Sequence, residues 1–156
     1  MKIRRILTAL TVACAVVSLS ACSDKQAARS DLPGSYFTAC PASPNCVSSD
    51  AAADDSEHFT APLQLTAPPE KAWSAVRKEV QVLARTTIIT ETENYLHVEV
   101  RSALWGFVDD LKLQLRPELG IIAVFSASRS GYYDFAVNRK RVENLRVRLI
   151  KQGVVK

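Results

Sequence analysis

Only two histidines, His58 and His97, occur in the chain, and neither stands at ligand spacing with a cysteine. That leaves no zinc centre to expect. There is no Gly-x-Ser-x-Gly, no closely spaced pair of histidines and no phosphate loop, so the usual sequence marks of hydrolase and nucleotide chemistry are missing. Nor is there a Cys-x-x-Cys, which removes the common form of thiol redox motif. A real excess of positive charge is also lacking. The formal net charge is +4, but Lys2, Arg4 and Arg5 sit at the extreme N-terminus. Without them seventeen basic residues face sixteen acidic ones, a balance unlike that of a nucleic-acid binder. Finally, no apolar run is long enough for a permanent membrane span. The longest, Ile6 to Leu19, gives about 21 Å of helix against a bilayer core of about 30 Å. No repeat or low-complexity tract occurs, and nothing implies a metal or a cofactor.

What the N-terminus does carry is a targeting segment. A short positive region, Met1 to Arg5, precedes the apolar stretch, and Leu19-Ser20-Ala21-Cys22 ends it. Those four residues resemble the bacterial lipobox, in which the peptide is cut before a cysteine that becomes acylated. Residues 1–21 are therefore expected to be a lipoprotein signal peptide and Cys22 the lipid attachment. The other reading is an ordinary cleaved signal with an incidental cysteine. Two or more acyl chains anchor a protein stably, because each buried methylene contributes about 0.8 kcal/mol. Ser23, rather than aspartate, after the cysteine favours the outer membrane over the inner one in the sorting pattern this resembles.

Residues 22–36 read as a flexible tether, since Ser23 to Ser30 is small and polar without apolar periodicity. A single domain is expected over residues 37–156. Its first feature is Cys40-Pro41-Ala42-Ser43-Pro44-Asn45-Cys46. With Cys14 removed and Cys22 acylated, Cys40 and Cys46 are the remaining thiols, and in an oxidising compartment an even pair reads as a disulfide. Closing so short a loop contributes roughly 2 kcal/mol in the chain-entropy model.

Periodicity outlines the rest. Leu63 and Leu65 alternate with Gln64 as a short strand. Pro68-Pro69-Glu70 opens a helix whose apolar face, Trp73, Val76, Val80 and Leu83, continues to about Ala84. Strands are predicted over Thr86 to Glu91, Tyr95 to Arg101, Phe107 to Arg116 and Gly120 to Ala127. His97 falls on a polar strand face and is expected to be solvated. A final amphipathic helix runs from Asn138 to Gln152 with Val142, Leu145 and Leu149 as its buried stripe. Arg139 and Arg146 lie toward one edge of it, Arg141 and Arg148 toward the other. The order β-α-β-β-β-β-α gives an α+β domain: an antiparallel sheet of about five strands with two helices, in outline a reduced helix-grip.

Polar chemistry concentrates between the last strand and the last helix, from Ser126 to Arg141. Residues 129–156 hold eight basic and two acidic groups, so a basic C-terminal face is expected. Gly131 suits a positive φ in the turn, and Asn138 is placed as the helix N-cap. Arg139 and Glu143 stand at i, i+4, where they can pair. In the preceding strand Asp109 shares the parity of Leu111, Leu113 and Leu115, whereas Asp110 points the other way with Lys112. An inward acid needs a partner or an open sheet end. Arg129, on the parity of Ile121, Ala123 and Phe125, is the partner expected for Asp109. Arg129 is then structural, and Arg141, on the helix edge, is left available to a ligand.

Three motifs in this order resemble the family catalogued as domain of unknown function 1499: Cys-Pro-Ala-Ser-Pro-Asn-Cys-Val-Ser-Ser, Val-Asp-Asp-Leu, and Ser-Ala-Ser-Arg-Ser-Gly-Tyr-Tyr-Asp-Phe-Ala-Val-Asn-Arg-Lys-Arg. The resemblance covers about residues 37 to 150. It implies that Cys40, Cys46, Asp109, Asp110, Ser128, Arg129, Gly131, Asp134, Asn138, Arg139 and Arg141 are the pattern's characteristic positions. The family pattern commonly has arginine before Ser-Ala-Ser and glycine before Val-Asn, where this chain has Phe125 and Ala136. It supplies no reaction.

Three functional classes follow. One is an envelope binding module whose arginine-rich junction meets an anionic small molecule, a lipid headgroup or a protein surface. The second is a structural accessory whose polar motif only knits the junction. The third is an enzyme with Ser128 as nucleophile, which requires Asp134 or His97 to reach it. Expected partners are the membrane, through the anchor, and an anionic ligand or envelope protein, with no nucleic acid.

Overall fold

The structure, a computed structural model, describes residues 34–156. The signal segment, Cys22 and most of the tether lie outside the described residues. The remainder is an α+β fold, with an open antiparallel sheet of six strands and two helices. The elements in chain order are β1 (Cys46–Ser48), β2 (Leu63–Gln64), α1 (Pro69–Gln81), β3 (Thr86–Glu91), β4 (Tyr95–Arg101), β5 (Val108–Arg116), β6 (Ile121–Ser128) and α2 (Val137–Lys151). The sheet order is β1-β6-β5-β4-β3, with β2 also paired to β6.

The main difference from expectation is β1. Three residues are too few to show an alternation, but Cys46, Val47 and Ser48 pair with Ala127, Ser126 and Phe125 and are all buried. The Cys40–Cys46 disulfide thus closes a loop directly onto a sheet strand. Helix α1 begins as its prolines and Glu70 dictate but ends at Gln81, short of Ala84. The turn that follows holds Arg85 at φ 57°, a left-handed conformation that costs a residue with a Cβ about 1–2 kcal/mol.

Both helices lie on one face of the sheet. Trp73, Val76 and Val80 of α1 and Val142, Leu145 and Leu149 of α2 form one core with Leu96, Val98, Leu111, Leu113, Ile122 and Val124. The opposite face is not left to solvent. Phe37 is fully buried there against Phe125, Ala123 and Cys46, with its ring 5.8 Å from that of Phe125. Gln114 and Arg116, which alternate with the core residues and read as solvent-facing, are buried under this N-terminal segment. The Gln114 side-chain amide donates to the Gly34 carbonyl, and its oxygen accepts from the Tyr36 N–H. Residues 34–36, counted with the tether in the sequence, are therefore fastened to the sheet.

Register places the functional end. Arg101 opposes Val108, Asp109 opposes Ser128, and Asp110 opposes Ala127. The β4–β5 loop, the β6–α2 loop, the α1–β3 turn and the start of β1 therefore all gather at one end of the sheet.

Candidate functional site

The helix-facing side of that end is a closed polar knot. Asp109 is 6% exposed and Asn138 is fully buried. One Asp109 oxygen accepts from Arg141 Nη2 at 2.6 Å and the other from Ser128 Oγ at 2.6 Å. Arg141 Nη1 also donates to Ser126 Oγ and to Asn138 Oδ1. The Asn138 amide nitrogen reaches the Asn45 carbonyl, Ser128 Oγ and Asp134 Oδ2. Strand β6, strand β5, the disulfide loop and α2 are thus tied through one set of charge-assisted bonds, the stronger kind.

This corrects the expected Asp109–Arg129 pair. The parity of Arg129 with Ile121, Ala123 and Phe125 is right, but that parity belongs to the face away from the helices. Strand β6 is apolar on both faces, because both are covered, so alternation alone does not show which side meets α2. Asp109 and Ser128 share the helix side, and Arg141 supplies the charge. Arg141 is accordingly not free: its side chain is 11% exposed, while that of Arg129 is 44% exposed.

Arg129 instead completes a second network on the other face. Its Nη2 lies 2.8 Å from Asp110 Oδ1 and 2.7 Å from Glu99 Oε1, and its Nε donates to Asp110 Oδ2 at 3.0 Å. His97, expected in solvent, meets Asp110 at 2.7 Å. Burial pushes the Asp110 carboxyl up, but hydrogen bonds and charge from His97 and Arg129 more than offset this and hold it well below the usual carboxylate range. A depressed folded-state value adds stability above the ordinary aspartate range near pH 4, and this is lost as pH falls through the folded value. Asp110→Asn should therefore lower stability at neutral pH and flatten its decline in acid, read as Tm against pH. An unchanged acid limb would contradict this assignment.

Two further expectations change at the start of α2. The N-cap is Ala136, and Asn138 lies inside the first turn. Capping falls to Asp134, whose carboxylate accepts the N–H groups of Ala136 at 2.9 Å and Asn138 at 2.8 Å. The turn needs left-handed backbone at Phe135 (φ 54°) and Ala136 (φ 60°). Glycine adopts this conformation freely, which accounts physically for the glycine of the family pattern at position 136. Ala136→Gly is expected to stabilise the domain by about 1 kcal/mol, seen as a raised denaturation midpoint. Arg139, expected to pair with Glu143, donates to the carbonyls of Phe59 and Glu57, and Glu143 pairs with Arg146. The chain before β2 places its carbonyls within reach of Arg139, and Glu143 is taken up by Arg146 instead.

Ser128 has no histidine at hand. It donates to Asp109, which is already held by Arg141, while His97 is engaged with Asp110 and Asp134 with Asn138. Neither of the two bases expected for a Ser128 nucleophile, His97 or Asp134, bonds to it among the described residues. Among the described residues no group of three or more His, Cys, Asp or Glu could hold a metal ion.

The open part of this end is a groove. A cavity of about 380 Å³ lies between the α1–β3 turn, the end of β4 and the first turn of α2, with Arg85, Arg101, Asp109 and Arg141 among its walls. A second, of about 270 Å³, shares Leu83, Val137 and Arg141 with it and adds Lys140 and Arg148. Five basic side chains line the pair, against one acid, Asp109, that Arg141 already neutralises. Arg85, Arg101, Lys140 and Arg148 lie outside the expected site; Arg85 and Arg101 join it because only the tertiary fold brings the α1–β3 turn and β4 to the edge of α2 that carries Arg141 and Arg148.

An α+β domain with an open antiparallel sheet, its strand-to-helix junction locked by internal ion pairs beside a basic groove, is the class these features define. More specifically, the chain belongs to the family described as Protein of unknown function (DUF1499), whose model matches residues 36–149. No curated protein and no solved structure matches the chain.

Proposed function

We propose that this is a lipid-anchored cell-envelope protein, facing the periplasm from the outer membrane, that binds an anionic ligand non-catalytically. The observation that carries the reading is the groove beside Arg141, where Arg85 and Lys140 have no acidic partner among the described residues, while Arg101, Arg141 and Arg148 pair with Glu99, Asp109 and Glu79. Arg85 donates its Nε to the Arg101 carbonyl, and the outer nitrogens of its guanidinium have no acidic partner among the described residues. A phosphate or carboxylate suits such a set, because guanidinium offers paired donors to planar or tetrahedral oxyanions.

The test uses the full chain in neutral detergent, titrated with glycerol phosphate and, separately, with phosphatidylglycerol in nanodiscs. Arg85→Ala and Lys140→Ala are each expected to weaken binding about tenfold, the loss of one charge-assisted hydrogen bond. Binding of the lipid alone identifies a headgroup in its bilayer; binding of both identifies the phosphate itself. Equal affinity in the variants and the parent rejects the groove. The anchor is read separately: Cys22→Ala is expected to abolish acyl labelling, and unchanged labelling would end that part of the reading.

A second reading has support from the junction itself. Arg129, Arg139 and Arg141 are all bonded within the fold. If neither probe binds, the protein is a structural accessory whose polar motif serves only its own stability.

A further inference from the structure

The same end of the sheet carries a second feature beside the groove. Leu104 is 85% exposed, Trp105 77% and Phe107 55%, all in the β4–β5 loop. Tyr132, Tyr133 and Phe135 of the β6–α2 loop and Val137 at the start of α2 are exposed as well, Phe135 to 85%. These seven are half of the fourteen large hydrophobic side chains that the described residues expose. The register of β4, β5 and β6 brings both loops to one end, and the Arg129 N–H donates to the Val108 carbonyl where they meet. Val137 and Ala103 line a common cavity between them.

We infer that these two loops dock onto the surface of an anionic lipid bilayer. Three observations choose a bilayer. Trp and Tyr beside Leu and Phe, with basic residues around them, is the chemistry that partitions to a headgroup boundary. The charges agree on the groove side: Arg85 and Lys140 have no acidic partner among the described residues, while Arg101 and Arg129 pair with Glu99 and Asp110, Arg141 with Asp109, and Glu57 and Asp134 stand beside Tyr133 and Phe135. Chain length agrees too, and here the inference rests on the proposed anchor. Eleven residues separate Cys22 from Gly34, a reach of at most about 40 Å. Gly34 is bonded to Gln114, six positions along β5 from Val108, or roughly 20 Å above the loops. The tether is long enough for the domain to stand on these loops with its groove opening toward the headgroups.

Trp105 is the natural reporter, because the chain's other tryptophan, Trp73, is 4% exposed in the core. The full chain is reconstituted in vesicles of phosphatidylethanolamine and phosphatidylglycerol that contain phospholipid brominated near the headgroup end of its acyl chains. Bromine is expected to quench the parent protein and to have no effect on Trp105→Phe. Replacing Leu104 and Trp105 together by glutamate is expected to cut vesicle affinity of the Cys22→Ala chain on the order of tenfold or more, since burial of even one such side chain exceeds that factor. Phosphatidylcholine vesicles without phosphatidylglycerol should weaken it further.

Equal quenching in parent and Trp105→Phe overturns the inference, as does loss of iodide access to Trp105 without bromine quenching, which marks a protein partner. Acyl labelling of Cys22 separates the two proposals. Labelled protein without quenching removes the docking and leaves the anchor. Unlabelled protein with quenching keeps the docking and removes the anchor, and unlabelled protein without quenching removes both.

Discussion

Arg141→Leu should lower the melting temperature of the domain by about 10–20 °C, whereas Arg129→Leu should lower it by only a few degrees. The difference follows from burial. Arg141 and Asp109 have side chains 11% and 8% exposed and meet at 2.6 Å. Removing the arginine leaves Asp109 with only the Ser128 hydroxyl, an uncompensated buried charge that costs about 3–5 kcal/mol. In a domain of this size each kcal/mol moves Tm by roughly 3–5 °C. Arg129 is 44% exposed, and its acids Asp110 and Glu99 keep His97 and Arg101 as partners. Surface pairs of that kind contribute about 1 kcal/mol or less. Adding Asp109→Asn to Arg141→Leu should recover a large part of the loss, because the stranded charge is then gone. Scanning calorimetry of the three variants decides it. A normal melt for Arg141→Leu with a collapsed one for Arg129→Leu would restore the pairing read from strand parity.

That reversal shows where the chain was legible. Strand and helix periods are local, so the order of elements and most boundaries follow from Trp73, Val76 and Val80 at helical spacing and from Leu96, Val98 and Val100 in alternation. Asp109 as an inward acid in need of a cation follows for the same reason. Its partner does not, because β6 is buried on both faces and its parity carries no sign. The residue that would have broken the tie is Phe37. Two adjacent aromatics, Tyr36 and Phe37, in a polar stretch give no period, yet Phe37 covers the far face and turns Gln114 and Arg116 into buried groups. The helix edges fared differently. Arg139 and Arg146 on one edge both reach carbonyls of the 56–62 segment, while Arg141 and Arg148 on the other both line the groove. The 3.6-residue period sorted them; what each edge faces is set by long-range packing.

Arg116→Leu is expected to be as damaging as Arg141→Leu but to fail in a different place. Arg116 donates to both oxygens of Asp50, at 2.9 and 2.6 Å, and the two side chains are 8% and 2% exposed. It also holds Gln114 Oε1, the atom that accepts the Tyr36 N–H. Ser35 Oγ in turn donates to Asp50. One guanidinium therefore ties Asp50 and, through Gln114 and Ser35, residues 34–37 to the sheet face opposite the helices, while β1 keeps its own pairing to β6. Its loss strands Asp50, again at about 3–5 kcal/mol. The core around α1 and α2 makes no use of Arg116, so the first structure to open should be the segment that buries Phe37. Hydrogen exchange should show the Phe37 amide unprotected while α1 and α2 retain protection, and limited proteolysis should cut between residues 34 and 50. Asp50→Asn with Arg116→Leu should restore part of the Tm without restoring that protection, since Gln114 remains unsupported. Exchange that rises evenly across sheet, helices and N-terminal segment would show instead that Arg116 acts on the domain as a whole, and the picture of a separately latched tether base would fall.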